Sequence, residues 1–181
     1  QAWRIQTSDK VVEPLDGLSQ LYHEDRIELD RSLSYLEWRI DRHPGHEYRY
    51  VMCLQDDKLI GYVLVGLSTW NNELRVGQIV DYLMECGNAD CIFDMFDGAI
   101  LELLNMGCDM LSIWAPADET IRDTLKRFLG FRSSFDFPLR LAFGGRTNWL
   151  VARELNESLS DYLCIHDPDA WRLTSAFSDL A

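Results

Sequence analysis

The feature that most restricts this chain is a change of pattern close to Cys86. Before it, three apolar runs, Tyr48–Leu54, Leu59–Leu67 and Val76–Met84, are separated by polar turns at Gln55–Lys58 and Asn71-Asn72. Short runs of this kind with turn residues between them predict an antiparallel meander. After it, apolar residues recur three and four apart. Ile92, Phe96, Ala99, Ile100 and Leu103 mark a helix that Gly107 ends. Met110–Trp114 is a short buried strand stopped by Pro116, and Ile121, Leu125 and Phe128 share one face of a helix that Gly130 ends. This order predicts an α/β (α+β) fold, with a mixed, mostly antiparallel central sheet flanked by helices. A parallel pair needs a long crossover, so the helix between Val76–Met84 and Met110–Trp114 predicts that these two strands are parallel neighbours.

Outside this region the signals are sparser. Trp3–Ile5 is a candidate strand, and Pro14 suits the first position of a helix carrying Leu15, Leu18, Leu21 and Tyr22. Asp30 is the expected cap of a second helix, with Leu33, Leu36 and Ile40 on one face and Pro44-Gly45 at its end. Phe137–Phe143 and Trp171–Thr174 are the last expected strands. With 181 residues and no internal repeat or linker, residues 1–181 read as one domain. The chain begins at Gln1 rather than Met, so processing, or excision from a longer protein with a domain before Gln1, is an expectation.

Composition narrows the function classes. Hydrophobic residues make up 47% and charged residues 26%, ordinary values for a globular chain. No apolar run has the length of a membrane span. The formal charge is −13 and the sequence pI about 4.6, which disfavours nucleic acid as a partner. Arg122, Lys126, Arg127 and Arg132 cluster, but acidic residues are interleaved and a solvated helix face is the plain reading. Cys53, Cys86, Cys91, Cys108 and Cys164 are an odd count at irregular spacing, which predicts free thiols in a reducing, cytoplasmic setting. Cys53 and Cys108 read as small buried hydrophobes. His43 and His46 flank a Pro-Gly turn and lack an acidic partner at ligand spacing, so no metal site is expected. Trp38, Trp114 and Trp149 read as core residues, while Trp70 beside the Asn71-Asn72 turn reads first as a half-buried turn residue and second as an aromatic that could stack on a sugar ring.

The element order resembles that of the GNAT N-acetyltransferases across nearly the whole chain. Leu125-Lys126-Arg127-Phe128-Leu129-Gly130-Phe131 is similar to that family's helix-ending segment, and Lys58-Leu59-Ile60-Gly61-Tyr62-Val63 to its third strand. A narrower likeness is to GNAT-like proteins associated with bacterial cell-surface polysaccharide production. It rests on Tyr35-Leu36-Glu37-Trp38-Arg39 with His43-Pro44, on Ile79-Val80-Asp81, and on Trp171-Arg172-Leu173-Thr174 with Ser178-Asp179.

The resemblance implies acetyl-CoA or another acyl-CoA as co-substrate, held between the strand ending near Glu85 and the strand beginning near Met110. It assigns cofactor contacts to Leu83, Met84, Gly87, Asn88 and Ala89. Backbone N–H groups at a helix start suit a pyrophosphate. The family has a basic or amide residue and two glycines there, whereas this chain reads Glu85-Cys86-Gly87-Asn88-Ala89-Asp90-Cys91. The loop therefore looks degenerate, and a plain connection capped by Asn88 or Asp90 is the alternative. The family's general acid, a Tyr four residues before the helix-ending Gly, falls on Lys126. Asp81, a carboxylate within an apolar strand, and Glu85 at the strand end are the candidate bases for an amine acceptor. Tyr82 is expected on the opposite face from Asp81.

Two functions remain open on this reading. One is an acyl-CoA-dependent N- or O-acyltransferase with an unknown small-molecule or sugar acceptor. The other is a non-catalytic module that binds a partner domain, a sugar or a nucleotide through the same cleft. A domain before Gln1 or a second copy of the chain is the expected kind of protein partner.

Overall fold

The computed structural model describes residues 2–10, 31–42, 47–70, 73–84, 88–114, 118–127 and 129–131. The helix expected after Pro14 and the strands expected at Phe137–Phe143 and Trp171–Thr174 lie outside these residues.

Five strands form one sheet in sequence order: β1 (Trp3–Ser8), β2 (Glu47–Gln55), β3 (Lys58–Trp70), β4 (Leu74–Met84) and β5 (Met110–Ile113). The first three joins are antiparallel. The two-residue turn between β2 and β3 places Asp56 and Asp57 at φ 49° and 62°, the paired positive values that a tight hairpin requires. The β4–β5 join is parallel, as the intervening helix predicted.

Helices cover both faces. On one face lie α1 (Leu33–Leu36) and the wider turn Glu37–Asp41 that continues it, where the Arg42 N–H reaches back to the Glu37 carbonyl at 3.0 Å. Its cap is Ser32, whose Oγ accepts from the Tyr35 N–H, rather than Asp30. Leu36 and Ile40 pack there on Tyr48, Tyr50, Met52, Tyr62, Leu64 and Leu83.

The other face carries α2 (Ala89–Asn105) and α3 (Glu119–Arg127). Cys91, Ile92, Met95, Phe96, Ala99 and Leu103 of α2 are buried, the three-and-four spacing of an amphipathic helix. They pack on Val51, Cys53, Val63, Val65, Ile79 and Tyr82. Each fully buried large apolar side chain contributes about 1.5–3 kcal/mol.

Glycine stops both helices. At the end of α2, Gly107 has φ +82°, its N–H reaches the Leu104 carbonyl and the Cys108 N–H reaches that of Leu103. This pair of bonds satisfies carbonyls that a helix end leaves open. The Arg75 guanidinium adds a cation there, donating to the Met106 carbonyl. After α3, Gly130 has φ +71° and the Phe131 N–H donates to the Leu125 carbonyl at 3.0 Å.

Some expectations need correction. Trp38 is 64% exposed, stacked edge-on to Tyr35 rather than placed in the core. Cys108 is only partly buried, because it follows the Gly107 helix stop at the margin of the core. Trp114 is likewise half-buried.

Candidate functional site

The site is built around an irregularity in β4. Val65 faces Ile79 and the next pair is Leu64 with Asp81, so the β3–β4 register skips over Val80 as one extra residue. Such a bulge shifts the in-and-out alternation by one. Ile79 therefore packs against α2, whereas Asp81 turns to the α1 side. Tyr82 returns to the α2 side, with its ring 5.8 Å from that of Phe96. Tyr82 and Asp81 point to opposite faces, as expected.

At the same level the parallel ladder with β5 ends. Its pairs run from Val76–Met110 to Ile79–Ile113. From Val80 to Met84, β4 has no β5 partner among the described residues. Glu85, Cys86 and Gly87, which connect the end of β4 to Asn88, lie outside the described residues.

Asp81 is 0% exposed, yet it is not alone. Arg31, 1% exposed, donates from Nε to Oδ2 and from Nη2 to Oδ1, both at 3.0 Å. Tyr62 donates its hydroxyl to the same Oδ2 at 2.6 Å. A fork-on-fork pair of this kind has the geometry that makes charge-assisted bonds strong. Beside it the Tyr50 ring lies 6.3 Å from that of Tyr62, and its hydroxyl donates to Asp41 at 3.1 Å. Burial, reinforced by the Asp81 charge, holds the Tyr62 phenol well above its ordinary pKa, with Arg31 pulling the other way. Burial and Asp41 push the Tyr50 phenol up in the same manner.

The start of α2 carries less than a phosphate site usually does. Asn88 caps it, and its Oδ1 accepts from the Asp90 N–H at 2.9 Å, so one of the helix's orphan donors is already bonded. Asp90 places a carboxylate in the first turn. The sequence has no Lys or Arg between Arg75 and Arg122. Of the other expected cofactor contacts, Ala89 is exposed, Met84 is half-buried against the α2 cluster, and Leu83 is buried in the α1 cluster. Lys126 points outward from α3, while its neighbours Thr124 and Leu125 are buried.

Arg31 and Tyr62 are the site residues that the sequence did not disclose. Arg31 sits fifty positions from its partner, with no spacing to betray it. Tyr62 stands in an apolar strand where its ring alone accounts for its presence. Among the described residues no three His, Cys, Asp or Glu side chains group as a metal site would require, and no helix is long and apolar enough to cross a membrane. His43 and His46 lie outside those residues.

No protein-family model matches the sequence, and neither does any curated protein. Solved structures do match in shape. A crystal structure of TTHA1254 from Thermus thermophilus aligns with a TM-score of 0.51 at 14% identity, covering 83% of this chain and 98% of that one. A transcriptional regulator from Bacillus halodurans aligns at 0.52 and 15% identity, over 74% of this chain and 96% of the other. With one parallel join across α2 in an otherwise antiparallel sheet, the architecture is settled. It is a GNAT-like fold. Glucosamine-6-phosphate N-acetyltransferase from Arabidopsis thaliana also aligns, at a TM-score of 0.41 and 15% identity over 62% of this chain and 81% of that one. That score is too low to argue from. At such identities the GNAT-like likeness concerns fold, and the chemistry must be argued from the site.

Proposed function

We propose that this GNAT-like domain binds an acyl-CoA beside the free edge of β4 and transfers the acyl group to an amine or hydroxyl acceptor. The observation that carries the reading is the coincidence at Ile79, where the bulge begins and the β4–β5 ladder stops. Beyond that point β5 no longer runs beside β4, and among the described residues no other strand takes its place. A strand edge with no neighbouring strand suits the amides of an extended pantetheine arm. The start of α2 then stands where a phosphate group would follow.

In this reading Leu83 and Met84 flank the arm, and Gly87, Asn88 and Ala89 meet the phosphates. Asp81, with its oxygens already accepting from Arg31 and Tyr62, serves to position β4. The base role falls to Glu85, next in sequence after the strand. The acceptor is proposed to be a sugar or other small molecule, in keeping with the likeness to proteins of cell-surface polysaccharide production.

Two observations favour a second reading, a non-catalytic binding module. Asn88 already occupies a donor of α2, and the sequence carries no Lys or Arg between Arg75 and Arg122 to meet a pyrophosphate. Calorimetric titration with acetyl-CoA tests both. Each charge-assisted bond to phosphate is worth about 1.5–3 kcal/mol, so lacking one or two weakens binding by about tenfold to over ten-thousandfold. A dissociation constant in the high micromolar range supports a weakened acyl-CoA site, and no heat at millimolar ligand would reject the enzyme reading in favour of the module.

A further inference from the structure

Two cysteines that are 38 positions apart meet inside the domain. Cys53 on β2 is 0% exposed and Cys91 in the first turn of α2 is 1% exposed, with their Sγ atoms 3.7 Å apart. That is thiol contact distance, and a disulfide would need the sulfurs to close by roughly 1.7 Å. Ordinary packing accounts for two small apolar side chains. It does not require both sulfurs to point at one another across the boundary between a strand and a helix start.

The position of Cys91 adds a chemical reason. It is the third residue of α2 after the Asn88 cap, where the helix's open N–H groups and partial positive charge favour a thiolate. Cys91 is buried, so reaction there requires the first turn of α2 to open. Helix ends are the parts of a fold that open at least cost. Cys108, by contrast, lies at the far end of α2, and burial pushes its thiol pKa up.

We propose that Cys53 and Cys91 form a reversible dithiol–disulfide site that fastens the first turn of α2 to β2. The oxidant is a small-molecule disulfide. The Cys91 thiolate attacks one of its sulfurs, forming a mixed disulfide and releasing one thiolate. The Cys53 thiolate then attacks the Cys91 sulfur and releases the second. The protein gives up two protons and two electrons, and the oxidant leaves as two thiols. This site does not depend on acyl-CoA binding, although it lies at the helix start to which that reading assigns the phosphates.

The test uses the full chain in native buffer with oxidised glutathione, followed by unfolding in denaturant at acid pH, alkylation in denaturant and mass spectrometry. Of the five cysteines, two should resist alkylation and three should react, and dithiothreitol should restore all five. Cleavage before aspartates separates every cysteine, since Asp90, Asp94, Asp97 and Asp109 lie between those of the central segment. A peptide of residues 41–55 linked to one of residues 90–93 is the expected product. Cys53→Ala and Cys91→Ala should each abolish it and leave the remaining four thiols alkylatable. Five reactive thiols, mixed disulfides alone, or a link through Cys86, Cys108 or Cys164 would overturn the proposal.

Discussion

Arg31 and Asp81 meet as a two-pronged ion pair, Nε to Oδ2 and Nη2 to Oδ1, each at 3.0 Å and both sealed from solvent. Removing one partner leaves a buried charge uncompensated, which costs about 3–5 kcal/mol. Asp81→Asn and Arg31→Met are each expected to destabilise by that order in denaturant titrations. The double variant Arg31→Met with Asp81→Leu should lose less than the two single losses added. Single losses below about 1 kcal/mol would mean that the pair is not held as described.

Two glycines should fail for different reasons. A Cβ on Gly66 would stand 2.8 Å from the Tyr48 ring, so Gly66→Ala is expected to cost about 1–3 kcal/mol by overpacking. Nothing lies within 4 Å of a Cβ on Gly130, whose requirement is its φ of +71°. Gly130→Val should therefore cost roughly 1 kcal/mol or more, and Gly130→Asn clearly less, since Asn tolerates that conformation. Equal losses for Val and Asn in a denaturant series would show that backbone conformation is not what Gly130 supplies.

Stability should fall in alkali. Burial raises the phenol pKa of Tyr48, Tyr50 and Tyr62 in the folded state above the ordinary value of 10.0. Above that value the unfolded chain releases these protons and the folded one keeps them. The stability they contribute is complete below it and is lost as pH rises toward the folded values. Each such tyrosine contributes a slope of up to about 1.4 kcal/mol per pH unit. Denaturant midpoints that stay level while exposed tyrosines ionise would contradict this.

Under the proposed acyl-CoA reading, the charge distribution predicts an unusual salt dependence for acetyl-CoA binding. A basic phosphate pocket loses affinity as salt is added. Here the chain carries −13 overall, Asp90 stands in the first turn of α2, and no cation lies between Arg75 and Arg122 in the sequence. Salt screens this repulsion within a Debye length of about 10 Å at 0.1 M. Affinity measured by calorimetry is expected to rise, or hold level, between low and moderate ionic strength. A steep fall would reveal a basic patch facing the ligand.

The order from β2 to β5 was legible because apolar periodicity and turn residues are local signals, and Gly107 and Gly130 announced the ends of their helices. The face of Asp81 was not, since the extra residue Val80 leaves no mark on a pattern that is apolar throughout. Its partner Arg31 was illegible for another reason: a buried ion pair is made by residues distant in sequence, and neither reveals the other. Trp38 misled because an aromatic beside apolar neighbours looks like core until the turn of its helix is known. Part of the expected cofactor loop, Glu85 and Gly87, lies outside the described residues, and its sequence alone supports the proposal.

The bulge at Val80 divides β4 into halves with unequal freedom to diverge. The half before it is held by β3 on one side and β5 on the other, so an inherited change there disturbs the whole sheet. The half after it has a single strand neighbour among the described residues and leads to the helix start that the proposal gives to phosphate. A lineage with this arrangement can alter, weaken or exchange its ligand chemistry while the architecture persists.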